Sequence, residues 1–399
     1  MTREEKNIVA LMGLSHALTH SYLLIFPAAL SLLQQEFSLN YLQLGIISNI
    51  MTFTYGLGAL PGGMIYNRLG PKRIYLLCFL GSAAAALLTA LSPNIILFTI
   101  GLALIGASGS AYHPLGNALI TSKVREYSWA LGIHGALGNV GVALAPFIAG
   151  LIASKFGWRQ AFLWFVIPGV LLSIWAFFVD MNIPSQIKKP SPSFPSDAEN
   201  PKKGIAAFFA LPLVLIYLIN MSHSFNYHGA ITFLPLYMGS HTSFQIFSWD
   251  SVAIGGMLSG IALFMGVFGQ YAGGWLGQKP NLERNTLAVA IAAFPFVFAM
   301  ALARDLTLLV MALFFFFLNF GLQPMTNVLL ASYTTLEMRG TAFGIFFFAA
   351  FGIGSLAGSF SGWMAQNFGL PAVFWGLSFT TLGLIFLCFA LLKINQRPA

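Results

Sequence analysis

Long apolar runs, interrupted by short polar or Pro/Gly breaks, dominate the chain. A bilayer core about 30 Å thick requires about 20 apolar residues in helical conformation. Twelve runs meet this requirement, and each predicts a membrane-spanning helix. They cover residues 8–33, 42–66, 74–91, 95–122, 129–153, 160–179, 206–237, 251–276, 286–303, 306–333, 341–366 and 372–393. The pattern therefore predicts an all-α membrane protein with twelve transmembrane helices.

The composition also indicates a membrane protein. Apolar residues make up 57% of the chain and charged residues 8%, whereas about a quarter of an ordinary soluble domain is charged. The net charge of +8 does not indicate a nucleic-acid partner, because the basic residues are scattered among short loops. Cys78 and Cys388 lie inside apolar runs and far apart in sequence, so they predict no disulfide framework and no Cys-ligated metal.

The distribution of basic residues predicts the orientation in the membrane. Lys and Arg in short loops concentrate on the cytoplasmic side. With twelve helices and a cytoplasmic N-terminus, only Lys155, Arg159 and Arg304 of the 19 basic residues fall on the other side. A wrong helix count would scramble this alternation. We therefore expect a multi-pass protein of the bacterial inner membrane with both termini in the cytoplasm.

The longest polar break lies near the middle of the chain. Residues 181–205 contain five prolines and four lysines, a composition that cannot bury apolar area and is typical of a mobile linker. On the predicted topology this linker is cytoplasmic. It separates an N-terminal bundle of six helices, residues 1–180, from a C-terminal bundle of six helices, residues 206–399.

The two halves resemble each other in sequence. The segment His113-Pro-x-x-Asn117 in the fourth predicted helix aligns with Gln323-Pro-x-x-Asn327 in the tenth. Six-helix parallel repeats joined by a long cytoplasmic loop form the major facilitator transporters, whose solute site lies between the halves near the midplane. The repeat therefore predicts two pseudo-symmetric six-helix bundles, with these polar residues facing each other across the halves.

A polar loop after the second predicted helix resembles the signature loop of the major facilitator superfamily, Gly-x-Leu-Ala-Asp-Arg-x-Gly-Arg-Arg. In that family the loop is a cytoplasmic latch in which a carboxylate and basic residues meet a neighbouring helix end. Asn67 replaces the carboxylate here, and Gln278 does so in a degraded copy after the eighth helix, so a neutral hydrogen bond is the most these positions supply. The resemblance predicts a cytoplasmic gating loop that contains Gly63, Asn67, Arg68, Gly70, Lys72 and Arg73.

The fifth predicted helix resembles the Gly-rich, Pro-kinked motif of the drug and antiporter branches of this superfamily. The residues that carry the motif here are Gly141, Pro146 and Gly150. Small residues let helices approach closely, and Pro removes one backbone hydrogen bond and kinks the helix. Packing alone and a role in keeping the pathway from leaking are both open interpretations.

Three further blocks resemble the fosmidomycin-resistance proteins, which are proton-driven exporters of the same superfamily. The blocks are Ser15-His16-x-x-x-His20, Gly106-x-x-Gly109-Ser110-x-x-His113-Pro114 and Gly138-Asn139-x-Gly141. Where that branch places an Asp, this chain has His20, so the group available for proton transfer differs. The resemblance implies the twelve-helix fold and proton-driven export, although branches that share sequence differ in substrate and direction.

Histidines are the main ionisable residues within the predicted helices. All 11 carboxylates fall in loops or at helix ends, whereas six of the seven histidines lie within or near the ends of spans. Polar side chains at this depth are costly unless they face a cavity or a partner. A histidine there can exchange a proton near neutral pH or hydrogen-bond a polar solute.

These residues and nearby polar side chains form the predicted substrate and proton pathway. Its members are His16, His20, Tyr22, Tyr112, His113, Asn117, His134, Asn139, His223, Asn226, Tyr227, His228, Asn319, Gln323 and Asn327. The i, i+4 spacing of His16 and His20 also suits a metal ion, but no carboxylate or Cys accompanies them, so no metal site is predicted. His113 precedes Pro114 and could instead satisfy a carbonyl freed at a helix break.

These features predict a secondary active transporter that moves a small solute by alternating access. The branch resemblance favours proton-coupled export of a drug-like or anionic compound, and proton-coupled or facilitated import of a nutrient or a metal chelate is the alternative. An intramembrane enzyme or sensor is a minor alternative, since no Gly-x-Ser-x-Gly or His-Glu-x-x-His motif occurs. We expect a monomer in the lipid bilayer that is not an enzyme and uses protons, a small-molecule substrate, no cofactor and no nucleic acid.

Overall fold

The computed structural model of the chain describes residues 1–181 and 208–395, which are helical apart from short turns and loops. Side chains are described for these residues except at positions 59–68, 128, 336, 337, 340 and 395. Nearly all of the predicted linker, 181–205, lies outside the described residues.

Fifteen α-helices account for most of the described residues. They are α1 (Arg3–Ala28), α2 (Leu30–Glu36), α3 (Tyr41–Leu69), α4 (Pro71–Ala90), α5 (Ile95–Gly109), α6 (Tyr112–Lys123), α7 (Tyr127–Phe156), α8 (Trp158–Phe177), α9 (Leu211–Ser240), α10 (Ser251–Gly277), α11 (Leu282–Met300), α12 (Asp305–Ser332), α13 (Leu336–Phe347), α14 (Ala357–Phe368) and α15 (Pro371–Asn395). A π-helical turn, Phe348–Ile353, and a 3₁₀ turn, Gly354–Leu356, join α13 to α14.

These helices form twelve membrane-spanning segments, because α5 continues into α6, α13 continues into α14, and α2 is a short extension of the first span. In the described part of the chain, ten segments are long and apolar enough to cross a membrane. The other two are α3, which includes side chains outside the description, and α9, whose apolar run is interrupted by His223, Asn226 and His228. The prediction of a twelve-helix all-α membrane protein is confirmed, with helix ends shifted by a few residues.

Local capping explains several of the helix ends. The Thr2 hydroxyl accepts from the Glu5 amide at 3.2 Å, and the Glu5 carboxylate accepts from the Thr2 amide at 2.6 Å, which is a capping box. The Asp250 carboxylate accepts from two amides at the start of α10. Gly157 and Gly369 end α7 and α14 at φ of 88° and 86°, a left-handed conformation that glycine adopts without a Cβ clash.

The hydrogen bonds between the two halves lie in one part of the bundle. We call the end of the bundle that holds the N-terminus and the α3–α4 turn the terminal face, and the opposite end the far face. Three hydrogen bonds join the halves among the described residues: Tyr41 N to Gln366 Oε1 at 3.1 Å, Ser48 Oγ with Thr232 Oγ1 at 3.1 Å, and Ser355 Oγ to Asn49 Oδ1 at 2.8 Å. All three lie between the far face and the middle of the bundle.

Glycine contacts close the seam between the halves near the far face. A Cβ at Gly256 of α10 would overlap the Pro146 carbonyl oxygen of α7, and one at Gly150 would lie 3.1 Å from the Val252 oxygen. Pro146 and Gly150 of the predicted kink motif therefore lie at the contact of α7 with the opposite half. Gly141 serves a different contact, because a Cβ there would overlap the Ala17 backbone of α1.

Candidate functional site

Aromatic and imidazole rings of the two halves meet near the middle of the bundle, and we call this region the chamber. His16 is about 20 Å along α1 from its first residue, at 1.5 Å per residue, which places it close to mid-depth. Phe351, in the π-helical turn of the C-terminal half, is central to this region. Its ring centroid lies 5.5 Å from that of Tyr55, 6.5 Å from that of His113 and 5.6 Å from that of His228.

Three imidazoles of the N-terminal half converge on one side of the chamber. His16 and His20 of α1 and His113 of α6 each offer a ring nitrogen, and these atoms lie within 4.8 Å of one another. We call these three residues the histidine cluster. The Nε2 atoms of His16 and His20 are 3.0 Å apart, and the His113 ring centroid is 4.9 Å from that of His16.

The break in the fourth span explains how His113 reaches α1. Helix α5 ends at Gly109, and a two-residue turn precedes α6, whose third residue is Pro114. Pro lacks an N–H and is tolerated in the first turn of a helix. Irregular backbone within a membrane is tolerated where protein or a cavity surrounds it, and this break lies against the chamber.

The hydrogen bonds around the cluster fix the protonated nitrogen of His16 and of His20. His16 Nδ1 lies 2.8 Å from the His134 carbonyl oxygen, and a carbonyl only accepts, so Nδ1 of neutral His16 holds the proton. His16 Nε2 is then an acceptor, and His20 Nε2 donates to it. His20 Nδ1 is left with a free lone pair.

His134 and Tyr112 support the cluster from behind. The His134 ring stacks on His16 at 4.1 Å between centroids, and its Nε2 lies 3.1 Å from the Tyr112 hydroxyl. Because that hydroxyl donates to the Met12 carbonyl oxygen, His134 Nε2 donates to Tyr112. Both side chains are buried, so they position His16 and do not line the chamber themselves.

His113 does not take the role of satisfying a freed carbonyl. Its Nε2 is buried and has no hydrogen-bond partner among the described residues. A buried polar atom of this kind calls for an explanation, which can be a water, an ion or a ligand.

The C-terminal half contributes a second polar group to the same depth. His223 Nε2 donates to the Asn319 carbonyl oxygen at 2.8 Å, so Nδ1 carries the lone pair. That Nδ1 and the Asn319 side-chain oxygen are buried without hydrogen-bond partners in the described structure. The Tyr227 ring lies 5.2 Å from that of His228, which extends this group toward Phe351.

Several residues that were predicted for the pathway are engaged elsewhere. The Tyr22 hydroxyl donates to the Phe165 carbonyl oxygen of α8 at 2.9 Å. Asn226 Nδ2 donates to Thr381 of α15 at 3.0 Å. Gln323 Oε1 accepts from Gln270 of α10, within its own half, at 2.7 Å.

The three remaining asparagines do not join the cluster. Asn117 is exposed on α6 and Asn139 is buried in α7. Asn327 is half-buried, with a side-chain oxygen that has no partner among the described residues. No hydrogen bond in the described structure joins Asn117 or Gln323 to the opposite half.

The predicted gating loop is described in part. Gly63, Asn67 and Arg68 lie at positions 59–68, where only the backbone conformation is described. Gly70 has a φ of 77° at the α3–α4 turn, and Lys72 Nζ donates to the Phe177 carbonyl oxygen at the end of α8 at 3.1 Å. This contact places a cation at a helix C-terminus, whereas Arg73 is exposed.

Some residues of the chamber and of the contact between the halves were absent from the sequence prediction. Phe351 was one aromatic residue among many in apolar runs. Ser48 and Asn49 could have been predicted, because adjacent polar residues within an apolar span indicate an interhelical contact. His241, the histidine predicted to lie in a loop, follows α9 outside the spans, and burial lowers the pKa of its imidazole.

Twelve spanning helices in two halves, with polar groups between them at mid-depth, define a membrane transporter. Comparison with known sequences agrees, since the Major Facilitator Superfamily profile matches residues 9–359. The chain belongs to the Major Facilitator Superfamily, whose solved members with this fold are transporters and not enzymes.

Curated relatives match parts of the chain. It is 24% identical to the probable sulfoacetate transporter SauU of Cupriavidus necator over 43% of this chain and 40% of that protein. It is 27% identical to the putative niacin/nicotinamide transporter NiaP of Bacillus subtilis over 54% of each. It is 37% identical to the multidrug resistance protein MdtG of Citrobacter koseri over 32% of this chain and 31% of that protein. The chain thus spans about half or less of the length of these relatives.

A solved structure matches the whole fold. The bacterial homologue of the human lysosomal transporter Spinster, in an inward-facing and occupied conformation, superposes with a TM-score of 0.83 at 16% identity, over 100% of this chain and 99% of that one. This likeness shows the fold.

Proposed function

We propose that the protein is a secondary active transporter that exports a small anionic or amphipathic solute by alternating access, with protons as the coupling ion. The observation that carries this proposal is the mid-depth chamber, to which His20 and His113 of one half and His228 of the other contribute. Relatives named as a sulfoacetate transporter and a multidrug resistance protein agree with this solute class. The three sequence blocks that resemble the fosmidomycin-resistance branch support export.

The contacts between the halves support a chamber that opens at the terminal face. The hydrogen bonds and glycine contacts between the halves lie from mid-depth to the far face. If the terminal face is cytoplasmic, as the distribution of Lys and Arg predicts, this is the inward-open state. A solute would then enter from the cytoplasm and leave when the far-face seam opens.

The chemistry of the chamber favours anionic or neutral solutes over cations. Its polar lining consists of imidazoles, hydroxyls and amides, and the carboxylates among the described residues lie in loops or near helix ends. A cationic solute would therefore lose its hydration without gaining an opposite charge. An anion can accept hydrogen bonds from imidazole and hydroxyl donors.

His223 is the group that we propose for proton exchange. It is buried in α9 at mid-depth, its Nε2 is held by the Asn319 carbonyl, and its Nδ1 has a lone pair without a partner in the described residues. Histidine changes charge near physiological pH. A proton taken up at Nδ1 on one side of the membrane can be released on the other after the halves rock.

The solute class is tested by flux in proteoliposomes of the full-length protein. A panel of labelled alkyl sulfonates, carboxylates and phosphonates is compared with neutral and cationic compounds of similar size, using empty liposomes as the control. We expect saturable flux of at least one anion and none of the cations. Saturable flux of a cation without any anion would contradict the proposed solute class.

The coupling is tested with an imposed pH gradient. We expect the gradient to accelerate flux of the transported solute in the unaltered protein and to have no effect on His223→Gln, which keeps a donor toward Asn319 but cannot take up a proton. His241→Gln, a change outside the spans, is the matched control and should retain the response. Equal responses of all three proteins would refute His223 as the proton carrier.

A further inference from the structure

We propose that the histidine cluster, His16, His20 and His113, binds a divalent transition-metal ion such as Zn²⁺ or Co²⁺ together with an anionic donor from the solute. The transported species would then be a metal complex of an anionic chelator. The inference deepens the proposed function by naming a substrate class, but binding of the metal can be measured without transport.

The distances between the ring nitrogens approach those of a metal site. Nitrogen ligands at 2.0–2.1 Å from a tetrahedral ion are separated by about 3.3 Å. The Nε2 atoms of His16 and His20 are 3.0 Å apart, and the three ligand atoms lie within 4.8 Å of one another. Ring shifts of about an ångström therefore suffice to form a three-histidine site.

The surroundings of His16 are those of a metal ligand. Metal-bound histidines almost always donate their other ring N–H to a carbonyl or carboxylate, which fixes the ring orientation. His16 Nδ1 donates to the His134 carbonyl oxygen at 2.8 Å, so Nε2 presents its lone pair to the centre of the cluster. The stacked ring of His134 further restricts the rotation of His16.

The other two histidines have lone pairs available. His113 Nε2 is buried without a hydrogen-bond partner in the described part of the chain. His20 uses its Nε2–H only for the hydrogen bond to His16 Nε2. When a metal binds, the His20 imidazole would turn a lone pair toward the ion, and the two metal–nitrogen bonds would replace this hydrogen bond. The site therefore needs no charged ligand to be displaced.

The charge of the site indicates why an anion is required. Three neutral imidazoles leave the two positive charges of the ion uncompensated, and an unpaired charge at mid-depth is strongly disfavoured. No carboxylate of the described spans lies at this depth to compensate it. Three-histidine sites keep a fourth position open, and His20 and His113, which are only partly buried, open the cluster toward the chamber. An anionic oxygen or nitrogen of the solute fits this fourth position.

This proposal departs from the expectation, drawn from the sequence, of no metal site. The sequence displayed only the His16 and His20 pair without a third ligand nearby. The third ligand, His113, is distant in sequence and reaches the pair through the break between α5 and α6.

The test is equilibrium dialysis of the full-length protein in nanodiscs against Zn²⁺, followed by elemental analysis. The protein is purified with an affinity tag that contains no histidine. We expect one Zn²⁺ per chain and a loss of affinity of more than about 10-fold in His16→Gln, His20→Gln and His113→Gln. His223→Gln, a buried histidine in the opposite half, is the matched control and should keep its Zn²⁺.

Cobalt provides a second measurement that needs no variant. The visible absorption of Co²⁺ bound to the unaltered protein should be that of a tetrahedral ion, and it should shift when citrate is added as an anionic probe. Among the variants, His20→Gln is the most informative, because replacing His20 leaves the hydrogen bond between His16 Nδ1 and the His134 carbonyl oxygen intact. Gel filtration and thermal unfolding verify that each variant is folded.

The outcomes separate the two proposals. Absence of saturable Zn²⁺ binding, binding that survives all three cluster variants, or equal loss in His223→Gln would each overturn the metal site, even if an anion is transported. Zn²⁺ bound at the cluster with no flux of any anion, with or without the metal, would support the site and refute the transport proposal. Zinc-dependent flux of citrate that is lost in His20→Gln would support both.

Discussion

The contact between α7 and α10 allows the proposed equilibrium of alternating access to be perturbed by one methyl group. Gly256 of α10 lies against the opposite half near the far face. A Cβ at this position would overlap the Pro146 carbonyl oxygen and would lie 3.2 Å from the Gly150 Cα atom. These are backbone atoms, which cannot rotate away as a side chain would. In Gly256→Ala the two helices must therefore separate or remain strained.

The size of the shift in the equilibrium follows from the free-energy cost of the clash in the state where it occurs. Overpacking a close contact costs about 1–3 kcal/mol. The clash exists only while the far face is closed, so the cost falls on that state alone and disappears when the halves part. A difference of about 1–3 kcal/mol shifts a two-state equilibrium by about 5- to 150-fold. We expect Gly256→Ala to populate a far-open state that is minor in the unaltered protein.

The assay is a distance measurement between spin labels on the two halves. Gln35, in α2, and Gln245, in the loop after α9, are both exposed at the far face and can be replaced by Cys. The chain's own Cys78 and Cys388 are buried and are changed to Ser first. Pulsed electron paramagnetic resonance in nanodiscs should show a longer distance population in Gly256→Ala than in the parent.

Gly274→Ala is the matched control for this experiment. Gly274 lies in the same helix, and a Cβ there would meet nothing within 4 Å. Both substitutions gain a similar helix propensity of about 1 kcal/mol, so only the clash differs. Identical distance distributions for the two variants would refute the argument that the glycine seam holds the far face closed.

Two further predictions concern stability at the far face. Glu36 accepts hydrogen bonds from Arg159 Nη1 and Trp158 Nε1, each at 2.5 Å. Because Glu36 and Arg159 are both partly exposed, we expect Glu36→Gln to lower the free energy of unfolding by no more than about 1 kcal/mol, as measured by thermal unfolding. Glu4 is an exposed carboxylate, and Glu4→Gln is the control. If Glu36→Gln lowers the free energy of unfolding no more than Glu4→Gln does, the ion pair of Glu36 with Arg159 contributes nothing measurable. Asp250→Ala removes the N-cap of α10 and should cost about 0.5–2 kcal/mol, and unfolding at an unchanged temperature would contradict the capping role.

The fold could be predicted because hydropathy and charge carry the constraints that a membrane imposes. Each long apolar run became a helical span, although the first, fourth and eleventh runs are each divided into two α-helices. Local features explain two of the departures from the predicted bounds. Pro27 lies inside the first apolar run, where α1 ends at Ala28 and α2 follows, and a hydropathy pattern does not show such a division of one run into two helices. The seventh helix begins at Leu211 instead of 206 because Pro212 occupies its first turn.

The sequence indicated candidate residues for the site, but it did not indicate which of them lie close to one another. A helix that is apolar on all sides has no hydrophobic stripe to indicate which face meets the chamber. Asn226 and His228 are two residues apart on α9, yet the first bonds Thr381 of α15 and the second faces Phe351. A polar residue within a span is equally compatible with a chamber and with an interhelical hydrogen bond, and only the packed structure distinguishes the two.

The repeat conceals a chemical asymmetry between the halves. Gln323 occupies the position equivalent to His113, but it bonds Gln270 within its own half, whereas His113 turns toward two histidines of α1. Among the described residues, the three histidines proposed as metal ligands lie in the N-terminal half. The His223 Nδ1, which has no hydrogen-bond partner in the described structure, belongs to the C-terminal half. In the proposed transport cycle the halves separate at the far face. A metal complex held by the N-terminal half and a proton held by the C-terminal half would then be carried by different halves. Loss of the proton site should then change the driving force for transport while leaving metal binding intact.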